Sequence, residues 1–212
     1  MKALVLAGSD IVVTDMLESL CRVADFVVAA DSGVRHAAAL GVVPDLIVGD
    51  FDSAREADLE LYPEVPHRAH PPRKDALDLE LALTEATARG AAELLIVGAL
   101  GGRLDQTLAA LLIAARYRET HRVTLHSGDA AAYPLKAGEV LSLELAPGQT
   151  FSVLSLAPVS TISLGSASYP LARAELPFGV GLGVSNEVLT SPLSVTLHGG
   201  SALLLVDFTG FT

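Results

Sequence analysis

The chain has 212 residues, half of them hydrophobic and only 18% charged, so it can bury a full core and is not a disordered polymer. A net charge of −11 argues against a nucleic-acid-binding surface, yet it leaves room for a small anionic substrate held by a local cationic patch and a metal. No apolar run approaches membrane-spanning length, and the single Cys21 excludes an intrachain disulfide and suits a reducing cytoplasm.

Residues 2–7 predict a first buried strand rather than a signal-peptide core, closed by Gly8-Ser9-Asp10. A helix follows with apolar positions at Met16, Leu17, Leu20 and Val23, capped by Thr14 or Asp15. Residues 26–30 form a second apolar run ending in Asp31-Ser32-Gly33, and residues 34–40 have a helical composition stopped by Gly41. A third run, 46–48, leads into Gly49-Asp50-Phe51-Asp52-Ser53. Continuous apolar strands alternating with helices indicate a parallel sheet covered on both faces, with ligands bound beyond the carboxyl ends of the strands. The three polar segments therefore belong on one edge. Asp50 and Asp52, two apart in an extended segment, point to the same side, and paired carboxylates facing one point suit a hard dication. The local alternative is a turn followed by a helix N-cap at Ser53.

Residues 67–72 read as a solvated loop, since His67 and His70 lack a metal-ligand spacing. Lys74-Asp75 and Asp78 then open a helix reaching about Arg89. Asp75 and Glu80 in a first turn complement the helix dipole, whereas Lys74 opposes it and is better explained by an anionic ligand such as a polyphosphate. After a strand at 94–97 come three glycines within residues 98–102, which expose N–H groups at a helix start as anion sites do. The spacing is neither the dinucleotide fingerprint nor the P-loop. Arg103 offers a planar fork for phosphate, and Asp105 either caps a helix over 107–116 or accepts from a substrate donor. Residues 123–126 close the α/β pattern.

Near Gly128 the texture changes to short alternating runs separated by Gly, Pro and Ser, at 139–145, 150–156, 160–164, 193–197 and 202–208. They predict a small antiparallel sandwich or barrel. The expected architecture is thus an α/β domain over 1–127 with a parallel sheet and helices on both faces, then an all-β domain over 128–212. Taken alone, residues 181–187 read as a glycine-rich hairpin connection with Asn186 in a tight turn.

Taken in order, Asp31-Ser32-Gly33, Gly49-Asp50-Phe51-Asp52-Ser53, Lys74-Asp75 with Asp78, Gly101-Gly102-Arg103-Leu104-Asp105-Gln106 and Ser185-Asn186-Glu187 resemble the motif series of the thiamine pyrophosphokinases. The resemblance spans essentially the whole chain. It implies transfer of a diphosphoryl group from ATP to the thiamine hydroxyl, with release of AMP. It further implies a magnesium site at Asp50, Asp52 and Asp78, and ATP contacts from Asp31, Ser32, Lys74, Arg103 and Gln106. Asp50, Asp52, Lys74, Asp78 and Asp105 form the implied catalytic set. Ser185 and Asn186 would reach thiamine from the β domain of the partner subunit, in a cytoplasmic homodimer with shared active sites. The chemistry agrees, because phosphoryl transfer needs positioned charge more than covalent catalysis. Magnesium would neutralise β- and γ-oxygens while the hydroxyl attacks in line, and Asp78 or Asp105 would take or orient its proton.

Two positions depart from the family pattern. Leu77 stands where a threonine is usual, which removes a hydroxyl contact, and no tryptophan adjoins Ser185-Asn186 to stack on the acceptor. Other readings are a pyrophosphokinase for another hydroxymethyl heterocycle, such as a pterin, and a nucleotide- or thiamine-binding regulator without turnover. Three carboxylates with a lysine argue against the regulator, since binding alone does not need a metal triad.

Overall fold

The computed structural model describes residues 1–51, 55–70 and 76–210. Two compact units divide the chain, Met1–Gly128 and Asp129–Thr212.

The first unit runs β1 (Lys2–Leu6), α1 (Asp15–Arg22), β2 (Phe26–Ala30), a 3-10 segment (Asp31–His36), β3 (Leu46–Gly49), α2 (Glu56–Leu59), β4 (His67–Ala69), α3 (Asp78–Ala88), β5 (Glu93–Val97), α4 (Leu104–Tyr117) and β6 (Arg122–His126). Its strands are parallel and ordered β6-β5-β1-β2-β3-β4. The chain builds outward from β1 to β4, then crosses to β5 and β6 on the other side of β1. The order thus reverses between β1 and β5, the place where open α/β sheets bind ligands. Leu4, Leu6, Val27, Ala29, Ile47, Leu95 and Val97 pack with Leu17 and Cys21 of α1 in one core. Thr14 caps α1, its Oγ1 accepting from the Leu17 N–H at 3.1 Å, so Asp15 is the first helical residue.

Three expectations change here. The helix expected over 34–40 is a 3-10 segment that begins at Asp31. Its Gly33 lies so close to β1 that a Cβ there would stand 2.2 Å from the Leu6 carbonyl oxygen. The loop expected over 67–72 contains β4, an exposed edge strand beside β3, with the His67 ring 5.6 Å from that of Phe51. Helix α4 begins at Leu104, with Arg103 as its N-cap and no side-chain capping bond, so Asp105 lies inside the first turn and does not cap it.

The second unit contains β7 (Ala130–Leu135), β8 (Val140–Leu143), β9 (Thr150–Ser155), β10 (Val159–Gly165), β11 (Leu171–Pro177), β12 (Asn186–Glu187), β13 (Leu193–Gly199) and β14 (Ala202–Asp207). Strands β12-β9-β14-β7 lie side by side in that order, and β11-β10-β13-β8 form a separate sheet. Burial alternates along β9, β10 and β13, the period of strands with one face packed. Phe151, Val153, Leu204 and Val206 of one sheet share a core with Ile162, Leu164, Val195 and Leu197 of the other. The unit is a two-sheet antiparallel sandwich.

Candidate active site

The carboxyl ends of β1, β2, β3 and β5 and the amino ends of α3 and α4 enclose a cavity of about 530 Å³. Its wall includes Ser9, Asp10, Asp31, Ser32, Asp50, Asp78, Arg103 and Gln106. Backbones meet tightly at the switch point. Gly98 has φ +76°, and a Cβ there would stand 2.3 Å from the Ala7 carbonyl oxygen, so the turns after β1 and β5 lie against each other.

Three carboxylates converge in this cavity. Asp31, Asp50 and Asp78 each offer an oxygen, and these oxygens lie within 4.8 Å of one another. Asp31 follows β2, Asp50 follows β3, and Asp78 opens α3, so three separate elements deliver them. Gly49 permits the approach, because a Cβ there would come within 2.9 Å of the Asp31 Cβ. Asp31 is buried and holds φ +47°, a left-handed conformation that Asp tolerates better than most residues. Carboxylates this close repel one another when ionised. An all-oxygen set of this kind fits a hard dication such as Mg²⁺, which relieves that repulsion. The dipole of α3 favours Asp78 alone and does not account for the other two.

Glu80 anchors the amino end of α3. Its Oε2 accepts from the Leu77 N–H at 3.2 Å, and its Oε1 accepts from Arg116 Nη2 of α4 at 2.8 Å. Leu77 has no side-chain acceptor, so this cap works in one direction only.

Arg103 donates to Asp105 through two contacts, Nε to Oδ1 at 3.1 Å and Nη2 to Oδ2 at 2.6 Å. This bond holds the Asp105 carboxyl below the usual carboxylate range and raises the guanidinium. Asp105 therefore orients the fork and is a weak proton acceptor. Both side chains are exposed. Gln106 and Ser32 lie on the cavity wall, while Asp52, Ser53, Lys74 and Asp75 lie outside the described residues.

Ser185 and Asn186 belong to the second unit. Asn186 is buried, and its amide is engaged within the sandwich. Nδ2 donates to the Tyr169 carbonyl at 2.8 Å, while Oδ1 accepts from the N–H groups of Tyr169 and Glu187. Ser185 is exposed, with φ +57°. Arg35 and His36 carry no signal in the sequence that marks them as site residues. Arg35 and His36 bind the turn after β1, and no short-range pattern links residues 25 to 27 apart.

Residues 17–125 match the family model described as thiamin pyrophosphokinase, catalytic domain, and residues 139–201 match the thiamin pyrophosphokinase vitamin B1 binding domain. The first match lies within the first unit and the second within the second. No curated protein sequence matches the chain significantly. Among solved structures, the chain is similar to a thiamine pyrophosphokinase from Bacillus subtilis, with a TM-score of 0.84 at 20% identity over 98% of this chain and 99% of that one. It is similar to a thiamin pyrophosphokinase family protein from Enterococcus faecalis, with a TM-score of 0.80 at 25% identity over 98% and 99%. A yeast thiamin pyrophosphokinase superposes with a TM-score of 0.74 at 14% identity over 97% and 86%. With the catalytic-domain model alone covering more than half of its residues, the chain belongs to the thiamin pyrophosphokinase family.

Proposed function

We propose that the cavity of the first unit carries the family's reaction, transfer of a diphosphoryl group from ATP to the thiamine hydroxyl to give thiamine diphosphate and AMP. The observation that carries this reading is the convergence of Asp31, Asp50 and Asp78 beside Arg103 in one cavity within the catalytic-domain match. These carboxylates would hold Mg²⁺, with Asp52 added from the resemblance, and the ion would neutralise phosphate oxygens. Arg103, steered by Asp105, faces the phosphates with donors in a plane. The amino end of α4 and the glycine-rich turn before it supply N–H groups, and Lys74 adds a second cation. Asp78 or Asp105 would accept or orient the thiamine hydroxyl proton, with Arg103 holding the Asp105 carboxyl below the usual carboxylate range.

The reading extends to a cytoplasmic homodimer in which Ser185 and Asn186 of one subunit serve thiamine bound at the cavity of the other. Exposed apolar side chains support association. They include Leu104, Leu108 and Leu112 on α4, and Phe178, Val180, Leu182, Val184 and Leu189 in the second unit. Among the described residues no helix is long and apolar enough to cross a membrane.

The test is AMP release from ATP with thiamine or a hydroxymethylpterin as acceptor, with and without a chelator. Stoichiometric AMP and thiamine diphosphate, abolished by the chelator, is the expected result. AMP release with the pterin alone would reassign the acceptor, and ATP binding without AMP release would make the protein a regulator.

A further inference from the structure

The turn after β1 is fastened on both sides. From one side, Arg35 Nη2 donates to the Gly8 carbonyl and to Asp10 Oδ1, each at 2.7 Å. The next residue, His36, is 8% exposed and meets the Ser9 carbonyl through Nε2 at 2.9 Å. A carbonyl only accepts, so Nε2 carries the hydrogen. Burial, with the Arg35 charge beside it, holds the ring below the usual imidazole range, which keeps it a neutral donor. Two consecutive residues of the segment that begins at Asp31 thus bind three consecutive residues of the cavity wall. The fit is tight, since a Cβ on Gly8 would stand 2.3 Å from Ser32 Oγ.

From the other side, the Ser9 N–H donates to the Gly98 carbonyl at 2.7 Å, and Ser9 Oγ donates to the Gly101 carbonyl at 3.2 Å. Thr107 Oγ1 of α4 donates to that same Gly101 carbonyl at 2.9 Å. Residues 8–10 therefore bridge the segment that carries Asp31 and the turn that carries Arg103. A solvent-exposed ion pair such as Arg35–Asp10 contributes little alone. Here the same guanidinium nitrogen also holds a backbone carbonyl, and its neighbour is buried.

We propose that Arg35 and His36 are positioning residues for the triphosphate: through residues 8–10 they fix the spacing between the carboxylate cluster and Arg103, without contacting the nucleotide. This rests on the reading of the cavity as the ATP site. Displacing the turn moves the two halves of a phosphate clamp relative to each other, so ATP affinity falls first.

Initial rates of AMP release, with ATP and thiamine varied in turn, and ATP binding by calorimetry test the inference. Arg35→Met raises the KM and Kd for ATP about tenfold and leaves the KM for thiamine within twofold, while Arg35→Lys recovers most of the loss. Asp10→Ala removes a side chain that is 97% exposed, so folding is not at stake. It shifts ATP in the same direction, and the double variant falls short of the product of the two effects. An unchanged ATP KM in Arg35→Met, with only a lower melting temperature or active fraction, would make Arg35 merely structural and overturn the inference. Full multiplicativity with Asp10→Ala would also overturn it, since Asp10 would then act on the nucleotide independently. A wild-type protein that neither binds ATP nor releases AMP would remove the nucleotide reading itself, and this inference with it.

Discussion

Asp31 combines two unfavourable features, a left-handed backbone at φ +47° and a buried carboxylate within 4.8 Å of two others. Conformations of this kind are on the order of 1–3 kcal/mol above ordinary ones and persist where the surroundings over-determine them. Asp31→Asn keeps a residue that tolerates φ > 0 and removes one charge from the cluster. The expected outcome is a metal-free melting temperature raised by about 2–4 °C, the shift that roughly 1 kcal/mol produces in a domain of this size. Stabilisation by added Mg²⁺ and turnover are both lost. A variant that melts lower and still gains stability from Mg²⁺ would remove Asp31 from the cation site. Arg103 makes a different prediction. Arg103→Ala weakens ATP binding through the loss of a charge-assisted bond, with thiamine affinity unchanged. Asp105→Asn gives a smaller loss of the same sign, because the fork loses its orienting partner. Calorimetric titration of each ligand separates these outcomes, and a selective loss of thiamine affinity would move Arg103 to the other half of the site.

The amino end of α3 shows how one element delivers a site residue. Asp78 is the first residue of the helix, and Glu80 two positions later ties that turn to its own cap and to Arg116 of α4. Glu80→Ala should lower stability by about 1–2 kcal/mol in urea unfolding, since an N-terminal acceptor and an ion pair go together. Glu80→Gln keeps an oxygen for the Leu77 N–H and should recover most of it. Equal losses in both variants would mean that the ion pair, and not the cap, holds the turn. Strands β1, β2, β3, β5 and β6 are legible in the sequence as apolar runs because a parallel sheet buries both faces. Strand β4 is not legible, since an exposed edge carrying His67 and Arg68 has no apolar signature. Strand β7 hides behind Ala130, Ala131, Ala132 and Pro134, and β11 is exposed along most of its length. The site divides in the same way. The acidic segments stand out one by one, but the meeting of Asp31 with Asp50 and Asp78 depends on the register of separate strands, which no local spacing records. Arg103 and Asp105 are both visible as polar residues at a helix start, yet their pairing requires the turn geometry.

At the scale of the whole molecule, the residues proposed for the reaction fall in two units that the chain separates at residue 128. The carboxylates and Arg103 lie in the first unit, and Ser185 and Asn186 lie in the second. In a two-fold dimer a site can draw one part from each subunit, and complementation tests whether it does. Asp50→Asn damages the cluster and Asn186→Ala would damage the proposed acceptor side, so each homodimer should be inactive. Asn186 also holds Tyr169, so circular dichroism must first show that the alanine variant is folded. When the two variants are co-refolded, each mixed dimer should carry one doubly damaged site and one intact site. Random pairing of equal amounts makes about half of the dimers mixed and recovers about a quarter of wild-type sites. A site built within one chain gives no recovery, because every site then carries one lesion. Subunit exchange measured by mass spectrometry without any return of AMP release would show that the two units serve the same chain's site.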